Sequence, residues 1–137
     1  MSMRETVKTA LENDATLAGV LTGGVWSETE ISRVETAGAF DANGEVLPCA
    51  LVREETETPW GPLPTSSRLY LVIYLYQRRG YDRIDAAMER IFTLLHQQKL
   101  GQAHVWEITH TDDVRDQQDQ ALDCSLGISR FVATRRR

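Results

Sequence analysis

The stretch Arg68-Leu69-Tyr70-Leu71-Val72-Ile73-Tyr74-Leu75-Tyr76-Gln77 reads as a strand that is apolar on both faces. Successive side chains of a strand point to opposite sides. Leu69, Leu71, Ile73 and Leu75 therefore share one face, and Tyr70, Val72, Tyr74 and Tyr76 the other. A small antiparallel sheet usually covers one face and leaves the other polar and wet. Here both faces ask for cover, so either the chain supplies a second layer or another copy does.

Working outward, Arg78-Arg79-Gly80 turns the chain into a helix with Asp82 in the N-cap position. Ile84, Ala87, Met88, Ile91, Leu94 and Leu95 form one apolar stripe through His96 at helical spacing. That stripe is expected to cover the leucine face, each side chain contributing roughly 1.5–3 kcal/mol on burial. On the N-terminal side, residues 57–67 hold three prolines and a glycine, which exclude regular structure. Trp60 and Leu63 are large apolar residues in that long connection. Before it, residues 47–55 read as a strand, with Leu47, Cys49 and Leu51 on one side and Ala50 and Val52 on the other. Pro48 suits the strand's start or an edge.

At the beginning of the chain, Met3, Val7, Ala10 and Leu11 mark one helix face. Asn13 or Asp14 caps a second short helix with Leu17, Val20 and Leu21 inward, and Gly23-Gly24 stops it. Residues 25–34 read as a strand or extended arm, and residues 35–46, with Gly38, Asp41, Asn43 and Gly44, as a long loop. Near the C-terminus, residues 103–111 and 121–133 read as strands around a polar turn rich in Asp and Gln. The sum is a single α+β domain over residues 1–137: a mainly antiparallel four- to five-stranded sheet with helices packed on one face. Residues 134–137 are expected to form a flexible basic tail.

The 137 residues suit one domain with one real core. The formal charge of −5 argues against general nucleic-acid binding, which draws on cationic neutralisation of phosphates. Arg135, Arg136 and Arg137 end the chain, and three charges give weak, salt-sensitive contacts at most. Cys49 and Cys124 each lie in an apolar run and read as small buried hydrophobes; their spacing does not establish a disulfide. The polar N-terminus has no apolar signal segment, and no stretch approaches the roughly 20 apolar residues of a membrane span. The expected setting is a reducing cytosol, at least at first.

The chemistry-bearing residues form no catalytic pattern. There is no phosphate loop, dinucleotide turn, nucleophile elbow or Cys-x-x-Cys pair. His104 and His110 fall on one strand face with Asp112, but about 3.3 Å per residue separates the two histidines by roughly 20 Å. One ion with ligands near about 2 Å cannot bridge them. Asp112, Asp113, Asp116 and Asp119 have no glycine to make a calcium loop's sharp bend and read as a solvated hairpin tip. No catalytic residue, metal or cofactor is expected, and the chain is not read as an enzyme. What remains is interaction. The tyrosine face, Tyr70, Val72, Tyr74 and Tyr76, is the expected subunit contact. Glu54, Glu55 and Glu57 at one end of the sheet, and Arg78 and Arg79 at the other, form a candidate charge pairing between neighbouring copies.

The N-terminal helix ending at Leu17-Ala18-Gly19-Val20-Leu21-Thr22-Gly23-Gly24-Val25, the strand Leu47-Pro48-Cys49-Ala50-Leu51-Val52, the aromatic strand from Tyr70 to Tyr76, and the helix opening Tyr81-Asp82-Arg83-Ile84-Asp85 come in a characteristic order. In this layout the chain resembles the tail terminator proteins of long-tailed bacteriophages and their small neck and tail-completion relatives. The resemblance implies a virion protein assembled in the host cytoplasm. It implies a ring of identical subunits, usually a hexamer, at the head-proximal end of the tail tube. Such a ring stops tube polymerisation and joins the tail to the head. Its partners would be the tail tube protein, through the Trp60 and Leu63 loop, and the head–tail connector or neck protein. DNA would pass through an acidic lumen without specific binding, and no membrane is involved. A head-closure or other neck ring is the alternative within this class. A small ligand-binding regulatory module, with its ligand on the tyrosine face, is the alternative outside it.

Overall fold

A computed structural model describes residues 2–59, 66–100 and 106–136. The elements run α1 (Met3–Glu12), α2 (Ala15–Val20), β1 (Val25–Trp26), β2 (Cys49–Pro59), β3 (Ser66–Gln77), α3 (Asp82–Leu95), β4 (Gln98–Leu100), β5 (Trp106–Asp119) and β6 (Cys124–Arg136). The strands form one six-stranded sheet in the order β1-β2-β3-β6-β5-β4. This is an α+β fold, but the sheet has six strands rather than four to five, and it is mixed. β1 pairs parallel to β2 through Val25 with Ala50 and Trp26 with Leu51, while the other pairs are antiparallel.

The leucine face packs as its spacing predicts. Leu69, Leu71, Ile73 and Leu75 of β3 are buried in one cluster with Ile84, Ala87, Met88, Ile91 and Leu95 of α3 and with Met3, Val7 and Leu11 of α1. The helix lies close to the sheet because β6 carries Gly127 beneath it. A Cβ there would stand 2.5 Å from Ile84 Cγ2 and 2.6 Å from Met88 Cε, well inside van der Waals contact.

Local capping sets the helix ends. Asp14 accepts from the Leu17 amide at 2.9 Å and opens α2. Arg90 of α3 grips the same carboxylate at 2.6 and 2.9 Å. The Arg90 bond first, and then the Leu17 amide, lower the Asp14 pKa from 3.8 to about 2. Because the folded value is depressed, this contribution is present above about pH 4 and is lost as the pH falls through about 2. Helix α3 begins at Asp82 after Tyr81, so Asp82 is not its N-cap residue. The cap comes from the end of β3 instead. Gln77 Oε1 accepts from the Arg83 and Ile84 amides at 2.9 and 3.2 Å, while Gln77 Nε2 donates to Arg79 O at 2.8 Å.

Four boundaries differ from expectation. Residues 25–34 do not form a long strand: only Val25 and Trp26 pair. Strand β2 runs on to Pro59 and β3 begins at Ser66, which shortens the expected 57–67 loop. The bulge between Glu54 and Glu57 absorbs the mismatch, and an outer strand tolerates proline at its end. The Asp-rich segment after Thr111 is strand rather than hairpin tip, since β5 reaches Asp119 through two bulges. Beyond its short pairing with β4, β5 is an edge strand and can be polar there. Finally, β6 continues to Arg136, so residues 134–136 are strand and not a frayed tail. Strand β4, Gln98-Lys99-Leu100, has no apolar alternation to announce it.

Candidate interaction surface

The second face of the sheet is built from residues aligned across the strands. Tyr76 lies between Cys49 and Leu126, Tyr74 between Leu51 and Ile128, and Val72 between Arg53 and Arg130; Tyr70 stands beside Val132. Strand β5 adds Gln117, Val114, Asp112 and Thr109.

This face divides into two halves. At the Tyr76 end it is covered from within the chain, one of the two kinds of cover that the sequence left open. The cause is the parallel pairing of β1 with β2. Parallel neighbours need a crossover connection rather than a tight turn. Here the crossover is residues 27–48, and it lies over the second face. Its Ile31, Ala39 and Val46 are buried against Cys49, Leu51, Tyr76 and Cys124, with Trp26, Phe40, Tyr74, Leu122 and Leu126 packed around them. Burial pushes the Cys49 thiol up to about 12, with Cys124 adding to the shift. Cys124 is likewise raised to about 12, by burial first and then by the Asp119 and Asp123 charges. Both cysteines are buried and free.

The other half has no such cover among the described residues. Tyr70, Val114, Ile128 and Val132 are half-buried and belong to neither apolar cluster. Val72 is buried within the chain, between two arginines whose stems can cover apolar neighbours while their charge stays wet. Arg130 pairs with Asp112 at 3.3 Å, and Arg53 donates to the Glu28 carbonyl at 3.1 Å, tying the crossover to the margin of the bare half. Of the four residues expected to form the subunit contact, Tyr70 and Tyr74 thus remain partly available. Tyr76 and Val72 are used inside the chain.

The charges expected to meet across subunits have partners within the chain. Glu54 faces the helices: its Oε1 accepts from the Arg4 amide at 3.0 Å and its Oε2 pairs with Arg4 Nη1 at 3.5 Å. A carboxylate at a helix N-terminus meets the positive end of the helix dipole. Glu57 accepts from Ser67 Oγ at 2.7 Å, and Glu55 is exposed. At the other end, Arg78 pairs with Glu45 and pins the crossover, while Arg79 pairs with Asp123 at 3.5 Å. Trp60 and Leu63 lie outside the described residues, as does His104. The bulge after His110 sends Asp112 to the opposite face, opposite Arg130, so it does not share a face with His110. His110 instead bonds Asp113 at 3.0 Å. Among the described residues no group of three His, Cys, Asp or Glu side chains could hold a metal ion, and no helix is long and apolar enough to cross a membrane.

No protein-family profile and no curated protein matches this sequence. Among solved structures, the chain is similar to one of the "Virion of native gene transfer agent (GTA) particle", with a TM-score of 0.69 and 14% identity. The likeness is one of fold. It extends over 99% of this chain and 96% of that one, so the virion chain has the same architecture from end to end.

Proposed function

We propose that this chain is a structural virion protein of a phage-like particle, a tail-terminator-type subunit that forms a ring at the head-proximal end of the tail tube. The observation that carries this reading is the end-to-end fold likeness to a chain of the gene transfer agent virion. The sequence layout adds the finer assignment, to tail terminator rather than head-closure or other neck ring. The bare half of the second sheet face supplies a surface of the right kind. Aromatic residues are enriched at interface cores, and Tyr70 stands there beside Val132, with Tyr74 and Ile128 at the border of the covered half. A closed ring of identical subunits needs two different patches on each copy. The ring meets the tube protein on one side and the connector or neck protein on the other, and lets DNA pass.

Light scattering and negative-stain electron microscopy of the purified protein, alone and with assembling tail tube protein, test the reading. The expected result is a ring, free or on tube ends, with arrest of tube growth. A monomer at every concentration under both conditions overturns it.

A further inference from the structure

Among the described residues, two large apolar side chains are exposed: Val34, at 91%, and Phe92, at 41%. They lie on opposite sides of the sheet. Val34 belongs to the crossover over the second face, and Phe92 to α3 over the leucine face. A single exposed apolar residue is ordinary on a protein surface. What sets Val34 apart is the rigidity of its mount. Ser32 Oγ accepts from the Glu35 amide at 2.9 Å, and the Ser32 carbonyl accepts from both the amide and the hydroxyl of Thr36 at 2.9 Å. Thr36 is fully buried. Arg33, next to the tip, donates to the Gly44 carbonyl at 2.9 and 2.6 Å and lies over the Phe40 ring. The turn is locked at both flanks and lifts one apolar side chain into solvent.

Phe92 lines a groove of about 410 Å³ between α3 and β5, with Met88, Glu89, Thr93, His110 and Arg115. Its aromatic wall is preformed. Phe92 stacks on His96 at 4.5 Å and meets His110 edge-on at 5.2 Å. His110 in turn meets Phe131 edge-on at 5.2 Å and is held by Asp113, which also accepts from Ser129 Oγ at 2.7 Å. Knob and groove each carry one charge of either sign at the rim, Arg115 being held by Asp85 at 2.9 Å and by Asp113 at 3.5 Å. Exposed Arg33 and Glu35 flank Val34, and exposed Glu89 and Arg115 flank the groove.

We propose that Val34 of one copy seats in the Phe92–His110 groove of the next, as the anchor of a head-to-tail contact between copies of this chain. This inference rests on the ring reading above and deepens it: a knob on one face and a groove on the other are the two unlike patches that a heterologous ring contact requires. The bare half of the second face, linked to the crossover by the Arg53 bond to Glu28, would enlarge the same contact.

Cysteine pairing tests the geometry. Val34→Cys and Thr93→Cys are introduced into separate chains, which are mixed and mildly oxidised. The native Cys49 and Cys124 are buried and do not compete. The expected product is a cross-linked dimer from the mixture and none from either variant alone. The double variant gives a ladder that ends at the subunit number of the ring. In parallel, Val34→Asp raises the midpoint concentration of assembly at least tenfold with the melting temperature of the dissociated chain unchanged. A ring that persists without the mixed cross-link, or Val34→Cys cross-linking to itself, overturns the contact and leaves the ring standing. A parent protein that never assembles overturns both.

Discussion

At the Tyr76 end of β3, residues 27–48 bury the second sheet face. At the Tyr70 end, the same face carries half-buried Tyr70, Val114, Ile128 and Val132. The strand is the same and the residue types are alike, yet among the described residues only one half is finished by its own chain. The difference teaches how an apolar face is to be read in such a fold. Tyrosine and aliphatic residues on a second face record that something covers it, and neighbouring strands record what does. Beside Tyr74 and Tyr76, strand β2 is itself buried on both sides, through Cys49, Ala50, Leu51 and Val52. Toward Tyr70, β2 turns to glutamates and a bulge. An open strand edge is a template for pairing with other chains, and bulges blunt it. Both β2 and β5 are bulged where they lack an outer neighbour, so contacts between copies through the faces fit this sheet better than edge pairing.

The contrast can be broken directly. The largest effect is expected from Leu51→Ala in the covered half, which should cost about 2–5 kcal/mol in denaturant unfolding. Val132→Ala in the bare half should cost about 1 kcal/mol or less while weakening assembly. Equal losses of stability would mean that the two halves are not distinct. Thiol labelling sharpens the comparison without mutation. Cys49 and Cys124, buried and held near a pKa of about 12, should resist an aromatic disulfide reagent at pH 8 until the chain unfolds. Prompt labelling of the native protein would show that the crossover lifts freely from the sheet. The smallest effect is expected from Arg78→Ala, which removes the ion pair to Glu45. A pair this exposed contributes about 0–1 kcal/mol. The change should therefore raise the labelling rate of Cys49 more than it lowers the melting temperature. The reverse outcome would assign Arg78 to the fold as a whole rather than to the cover.

Local rules within the sequence determined much of this protein. Helices α1, α2 and α3, a cap at Asn13 or Asp14, the leucine face and the helix that buries it, and the two buried thiols follow from spacing and residue type alone, because each depends on side chains a few positions apart. The Gln77 cap of α3 left no such signal, since its side chain reaches across a turn from another element. Strand β4 and the outer part of β5 were hidden for a related reason: an edge strand with water on one side needs no apolar alternation. What only the tertiary structure decided is how the second face is shared. That outcome turns on two residues, Val25 and Trp26, pairing parallel rather than antiparallel to β2. The direction of so short a pairing is written in no local pattern, yet it sends residues 27–48 over Tyr76. In doing so it occupies Arg78 with Glu45 and leaves the Tyr70 half uncovered by any described element. The tyrosine strand announced that its second face would be covered, and the direction of β1 settled how much of it this chain covers itself.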